Sequence, residues 1–256
     1  MNVVVCVKQI PDPAVPGELN SNHTLKREGK LILDESDSYG VEMALQLVDK
    51  AGGGEVTLIS MAPNAEVSGL RTALAMGAAK AILVSDDALA GADALTTAKV
   101  LAKCVERAGG IDLVLTATES TDVYTGTIPA QVAELLGWPS LTFAKEVHLE
   151  GGTAKIQRQT EAGYDVVEAS LPAVVSVTAG VVEPRYPSFK GIMAAKSKPV
   201  DQVTAGDLGL DAAAIAPNQT ITTVAAAPAR EAGEKIEDDG TAFEKVVEFL
   251  DGLKVI

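Results

Sequence analysis

Along the first half of the chain, short β-branched runs alternate with longer stretches in which apolar residues recur at helical spacing. VVVCV (3–7), VTLIS (56–60), AILVS (81–85) and DLVLTA (112–117) are apolar on successive positions, as strands buried on both faces require. SDSYGVEMALQLVDKAGG (36–53), NAEVSGLRTALAMG (64–77) and DALTTAKVLAKCVERAGG (93–110) lie between them, and YTGTIPAQVAELLG (124–137) follows the last. Each is long enough for a right-handed crossover helix. Gly52, Gly77 and Gly109 come just after the last periodic residues, where a helix end favours a residue free to adopt positive φ. The pattern predicts an α/β fold whose mostly parallel sheet, flanked by helices, occupies roughly the first 140 residues.

After Pro139 the rhythm changes. FAKEVHLEGGTAKIQRQTEAGYDVVEASLPAVVSVT (143–178) alternates polar and apolar residues between glycine turns, which predicts antiparallel strands extending or flanking the sheet, the first pair turning at Gly151 and Gly152. From Pro217 to Gly240 the chain is rich in Ala, Pro, Thr and charge without a clear period, and AFEKVVEFLDGLKVI (242–256) then resumes an amphipathic helix. The expected division is a body over 1–216 and a C-terminal arm over 217–256, the arm leaning on a partner chain or remaining unordered.

Composition narrows the function classes. Hydrophobic residues make up 47% of 256, enough to bury a sizeable core, yet no run approaches the roughly 20 apolar residues of a membrane-spanning helix. Direct membrane insertion is not expected, and MNVVVCVKQI enters a strand rather than a secretory leader. The formal net charge of -14 opposes binding to phosphate backbones, so nucleic acid is a poor partner. Cys6 and Cys104 are the only cysteines, in no zinc or redox spacing, which points to two buried thiols and a reducing, cytoplasmic setting.

Catalytic signatures are missing. No G-x-G-x-x-G follows a strand, no G-x-x-x-x-G-K-[ST] occurs, and no G-x-S-x-G elbow is present. His23 and His148, the only histidines, stand far apart, and no metal site is expected of them. Asp34, Glu35 and Asp37 fall where the first long helix should begin and suit its positive end, with metal binding as a lesser alternative. One segment has the chemistry of a site: DLVLTA runs into TESTDVYTGTIP, a cluster of hydroxyls and small residues that leads into a helix. In an open α/β sheet ligands bind beyond the carboxyl ends of strands, and a helix start offers free N–H groups to phosphate. Thr118, Glu119, Ser120, Thr121, Asp122, Thr125, Gly126 and Thr127 could therefore surround a nucleotide, or equally serve as a helix-capping loop.

Three stretches resemble the electron transfer flavoprotein beta subunit, and the likeness runs over nearly the whole chain: VVVCVKQIPDP; LRTALAMGAAKAILV followed by LVLTATESTDVYTGTIPAQVAELLGWP; and RQTEAGYDVVEASLPAVVSVTAGVVEPRYPSFKGIMAAKSKP. The resemblance implies a Rossmann-like fold of the adenine nucleotide alpha hydrolase kind and a heterodimer with an alpha subunit that holds most of a redox FAD. It also implies a structural AMP in this chain, near Cys6, Asp34 to Asp37, Met61 and the loop Ala117, Thr118, Glu119, Ser120, Thr121, Asp122, Val123, Tyr124, Thr125, Gly126, Thr127 and Ile128. ESTDVYTGT departs from the Gln- and Asp-rich loop of better-known members, although hydroxyls can replace amides around phosphate. A bifurcating branch of the family carries a second FAD in the same pocket.

By the same resemblance EPRYPSFKGIM lies in a recognition loop over 183–198 that docks partner dehydrogenases, with Phe189 as the anchor and Arg185, Tyr186, Ile192 and Met193 around it. The implied role is an electron carrier without acid–base residues of its own, passing electrons from acyl-CoA and related dehydrogenases to a membrane quinone oxidoreductase of the respiratory chain. Two rivals from other classes share the β–α rhythm. A universal-stress-type nucleotide binder would lack the EPRYPSFKGIM loop and the arm, and an ATP pyrophosphatase would carry S-G-G-x-D-S where KQIPDP stands.

Overall fold

The apolar runs become the centre of one large sheet because each is hydrophobic on both faces and has to be covered twice. In a computed structural model of the chain the described residues are 1–62, 64–229 and 232–256. They divide into two compact units, 1–222 and 223–256. In chain order the first unit contains β1 (Asn2–Cys6), β2 (Gln9–Ile10), β3 (Ile32–Leu33), α1 (Glu35–Lys50), β4 (Glu55–Met61), α2 (Ser68–Met76), β5 (Lys80–Val84), α3 (Ala94–Ala108), β6 (Leu113–Ala117) and α4 (Ile128–Leu136). It continues with β7 (Ser140–Glu150), β8 (Thr153–Thr160), β9 (Gly163–Ser170), β10 (Ala173–Val177), α5 (Phe189–Ala195), β11 (Val200–Val203) and α6 (Ala212–Ile215).

The large sheet has the order β11-β5-β4-β1-β6-β10-β7-β8-β9, and β2 pairs with β3 in a small antiparallel ladder beside it. Pairings from β11 to β7 are parallel, and β7–β8 and β8–β9 are antiparallel. Successive residues of β1 feed opposite cores. Val3 and Val5 pack with residues of α1 and α2, whereas Val4 and Cys6 pack with residues of α3 and α4. The mostly parallel α/β fold with an antiparallel extension is thus the one the alternation of runs predicts. Gly151 and Gly152, both at positive φ, make the β7–β8 turn.

Two expectations change. The run AVVSV within 143–178 is not antiparallel: as β10 it lies between β6 and β7, hydrogen-bonded parallel to both, with all five residues buried. A strand apolar on both faces is more stable covered by two helical layers than at a half-solvated edge. The parallel sheet also extends past residue 140, because β10, β11 and the start of β7 all belong to it.

The connection after β10 is fastened at several points. Helix α5 lies so close to α2 that a Cβ at Gly191 would stand 2.5 Å from the Ala75 carbonyl oxygen. Arg71 donates to the carbonyls of Ala195 and Lys198 at 2.6 Å each, while Lys198 donates to Leu74 at 2.8 Å and Ala78 at 2.6 Å. Each helix end therefore receives a cation from the other segment, at the end where the helix dipole favours positive charge.

The second unit contains α7 (Ala242–Gly252). Phe243, Val246, Val247 and Phe249 are exposed on it, as are Leu253, Val255 and Ile256 beyond it. No helix of the described residues is long and apolar enough to cross a membrane.

Candidate nucleotide site and docking helix

The chain lays β4 and β5 on one side of β1 and then returns to lay β6 on the other, so the carboxyl ends of β1 and β6 flank a topological switch point. Cys6, Met61 and Ala117 are the last residues of β1, β4 and β6, so the strand register alone brings three of the residues named from sequence to one edge of the sheet. Cys6 and Ala117 are buried and Met61 is half-buried. Burial pushes the Cys6 thiol far up, which makes it a wall rather than a nucleophile.

Asp34 joins the start of α1 to the loop after β6. Its Oδ1 accepts from the Ser36 backbone N–H at 3.1 Å and lies 2.7 Å from Ser36 Oγ, and its Oδ2 accepts from the Thr121 N–H at 2.7 Å. The side chain that caps the helix therefore also positions the loop. Asp37, in the first turn of α1, accepts from the Lys8 N–H at 2.6 Å. Lys8 Nζ in turn donates to Ser120 Oγ at 3.1 Å and to Asp122 Oδ1 at 2.7 Å, and the other oxygen of Asp122 pairs with Arg27. Thr118 Oγ1 donates to the Val177 carbonyl at 3.1 Å, which ties the loop to the end of β10. Among the described residues no group of three or more metal-ligating side chains is present.

Downstream of Asp122 the backbone turns sharply, Tyr124 at φ 50 and Gly126 at φ 68. Tyr124 N–H bonds back to the Ser120 carbonyl at 2.9 Å. The following N–H groups, of Thr125, Gly126, Thr127 and Ile128, donate to no acceptor among the described residues, and Thr127 leaves the start of α4 without a side-chain cap. Alternating left-handed residues followed by a helix start form a concave set of donors suited to an anion. A Cβ at Gly126 would lie 3.3 Å from Glu119 Oε2, so glycine also leaves room for the turn. Val123 and Tyr124 are exposed, and Ser120, Thr121, Asp122 and Ile128 are half-buried.

The three aspartates at this edge have different environments. Burial would raise Asp122, but Lys8 and Arg27 outweigh it and hold its carboxyl below the ordinary range. Burial lowers Lys8 against the pull of Asp122. Asp37 is driven well above the ordinary carboxylate range, first by burial and then by the neighbouring Asp34 and Asp122, with the Lys8 N–H bond opposing.

A raised carboxyl stabilises the folded chain below its unfolded pKa, and that contribution is lost as pH rises through the folded value. Asp37→Asn keeps an acceptor for the Lys8 N–H and removes this slope. The variant is therefore expected to show urea midpoints that fall less than wild type between about pH 4 and about pH 7, and an equal fall would exclude Asp37 as the titrating group. Asp122 acts in the other window, contributing stability that is lost as pH falls below the ordinary carboxylate range.

The Arg185 guanidinium donates to both oxygens of buried Glu42 on α1 at 2.6 and 3.0 Å, with its backbone N–H 3.2 Å from the same carboxylate, while 43% of its side chain stays exposed. Its side chain braces the segment. Tyr186 is 93% exposed and Phe189 80%, and Ile192 and Met193 are about half open; Phe189, Ile192 and Met193 stand at i, i+3 and i+4 of α5 and so share one of its faces. Ser188 caps α5 by accepting from the Gly191 N–H at 3.0 Å.

Sequence reasoning missed Lys8, Arg27 and Glu42 as site-forming residues. Lys8 carried a usable signal, a cation immediately after the buried run VVVCV, whereas Arg27 lies in a polar loop far along the chain from its partner Asp122.

A family model described as an electron transfer flavoprotein domain matches residues 23–208. The electron transfer flavoprotein subunit beta of Mycobacterium tuberculosis is 39% identical over 264 residues, covering 100% of this chain and 99% of the relative. That of Megasphaera elsdenii is 33% identical over 270 residues, with 100% of both covered. The caffeyl-CoA reductase-Etf complex subunit CarD of Acetobacterium woodii is 35% identical over 250 residues, covering 96% and 95%. With matches that run the length of both partners and a family model that spans the loop after β6 and helix α5 together, the chain belongs to the electron transfer flavoprotein family, among its beta subunits.

Proposed function

We propose that this chain pairs with an electron transfer flavoprotein alpha subunit, holds a structural AMP, and forms a carrier that takes electrons from acyl-CoA and related dehydrogenases and delivers them to a membrane quinone oxidoreductase of the respiratory chain. The observation that carries the AMP reading is the row of four N–H groups, from Thr125 to Ile128 at the start of α4, that donate to no acceptor among the described residues. Lys8 and Arg27 are both paired with Asp122, which favours a phosphate bound through backbone donors rather than through a lysine or arginine. Cys6, Met61 and Ala117 offer apolar walls for the base, and Ser120, Thr121, Thr125 and Thr127 offer hydroxyls for ribose and phosphate.

FAD, held mainly by the alpha subunit, supplies the redox chemistry when bound. This chain's own residues bind, position and dock, with no acid–base role. The body over 1–216 carries the nucleotide and the docking surface, and the arm over 217–256, with its exposed apolar helix, suits the alpha subunit. The carrier works in the cytoplasm. Exposed Phe189, Tyr186, Ile192 and Met193 form the surface offered to a dehydrogenase, anchored by Phe189 and steadied by the Arg185–Glu42 pair.

Co-expression with the alpha subunit tests the reading. The expected product is a yellow heterodimer that releases equal amounts of FAD and AMP on denaturation. Two FAD and no AMP would place the chain in the bifurcating branch, and a colourless monomer would overturn the assignment.

A further inference from the structure

Between β2 and β3 the chain makes a closed excursion rooted on the Gln9–Leu33 and Ile10–Ile32 pairs. Residues 12–23 are exposed throughout, and the segment returns through 24–27, which are half-buried. On that return stretch, Asn64, just past β4, donates to the carbonyls of Arg27 and Gly29 at 3.4 Å each. Arg27 reaches the opposite way, to Asp122 in the loop after β6. Because β1 lies between β4 and β6, a backbone tied to the segments that follow both runs near the carboxyl end of β1, which buried Cys6 closes. Arg27 Nη1 also approaches the Gln9 carbonyl at 3.4 Å, so the stretch is held at its middle.

We infer that residues 24–30 form a strap over the nucleotide crevice, latched by Arg27 to Asp122, and that the bound nucleotide leaves only when this latch opens. The inference rests on the nucleotide reading above. Asp122 is suited to a latch because it has two cations. When Arg27 swings away, Lys8 Nζ remains 2.7 Å from the other carboxylate oxygen, so opening leaves no unpaired buried charge. Asp122 also lies three residues before the first free N–H of the phosphate cradle, so filling the cradle orders the loop that receives the latch. The long exposed stretch at 12–23 can follow the strap without disturbing the core.

The test uses the assembled heterodimer with the nucleotide it retains on purification. Release is followed by rapid dilution into excess unlabelled AMP, or FAD if that is what the dimer holds. Hydrogen exchange at 24–30 is compared with and without the nucleotide. Arg27→Gln is expected to speed release about tenfold or more, the loss of one charge-assisted bond, and Arg27→Lys to recover part of the retention. Exchange at 24–30 should be slower in the loaded protein. A role confined to stability would lower the thermal midpoint of Arg27→Gln and leave the release rate unchanged, which overturns the latch alone. A dimer that retains no nucleotide overturns the latch and the AMP reading together.

Discussion

Phe189→Ala is expected to slow flavin reduction by an acyl-CoA dehydrogenase about 30-fold, with AMP and FAD content unchanged. Phe189 is the first residue of α5 and stands 80% exposed beside Tyr186, so it makes few contacts that truncation would cost the folded chain. An aromatic that is exposed in the free protein and buried in a complex is the usual anchor of an interface, and truncating such an anchor costs about 2 kcal/mol or more of complex stability. At 1.4 kcal/mol per factor of ten this gives the expected change. The scaffold beneath should persist, because α5 is held by the close approach of Gly191 to Ala75, by Arg71 and by Lys198, and none of these involves the ring. Stopped-flow measurement of the second-order rate constant decides the matter: a variant as fast as wild type would remove Phe189 from the docking surface.

Asp34→Ala is expected to cost about 2–4 kcal/mol of stability and to empty the proposed nucleotide site. The estimate adds a lost helix N-cap, typically about 1 kcal/mol, to the penalty for leaving the half-buried Thr121 N–H without an acceptor, about 1–3 kcal/mol. Both bonds come from one carboxyl that is fully buried. Asp34→Asn separates the two roles. Its carbonyl can still cap Ser36, but its amide would face the Thr121 N–H donor to donor, so an intermediate loss is expected. Denaturant unfolding combined with nucleotide content reads both effects, and an Asp34→Ala variant within about 0.5 kcal/mol of wild type would show that the loop is held by other contacts.

The aspartates at the start of α1 show how much of the site was legible. Their position in sequence suited a helix start, and Asp34 is indeed the cap. That the same carboxyl also holds Thr121 could not be inferred, because the two residues are far apart in sequence and meet only when β6 is laid beside β1. The hydroxyl loop was visible as a composition, but whether it caps a helix or leaves its N–H groups free depends on the turn at Tyr124 and Gly126 and on the failure of Thr127 to cap. Arg185 is a similar case. Its place in EPRYPSFKGIM suggested the docking surface, and only the fold shows that its guanidinium is also held by the buried carboxylate of Glu42, far away in sequence.

The sequence by itself determined the elements of this protein: four central strands apolar on both faces, the helices that cover them, the hairpin at Gly151–Gly152 and the helical C-terminus. Each follows from local periodicity and turn chemistry, which act over a few residues. Tertiary structure alone decided that AVVSV would lie parallel between β6 and β7, and that Arg27 would pair with a distant aspartate whose other oxygen is held by Lys8. A strand's neighbours and a buried charge's partners are selected by competition for the whole core and for every buried ion. That competition is resolved only when the complete sheet has formed, so no local pattern records its outcome.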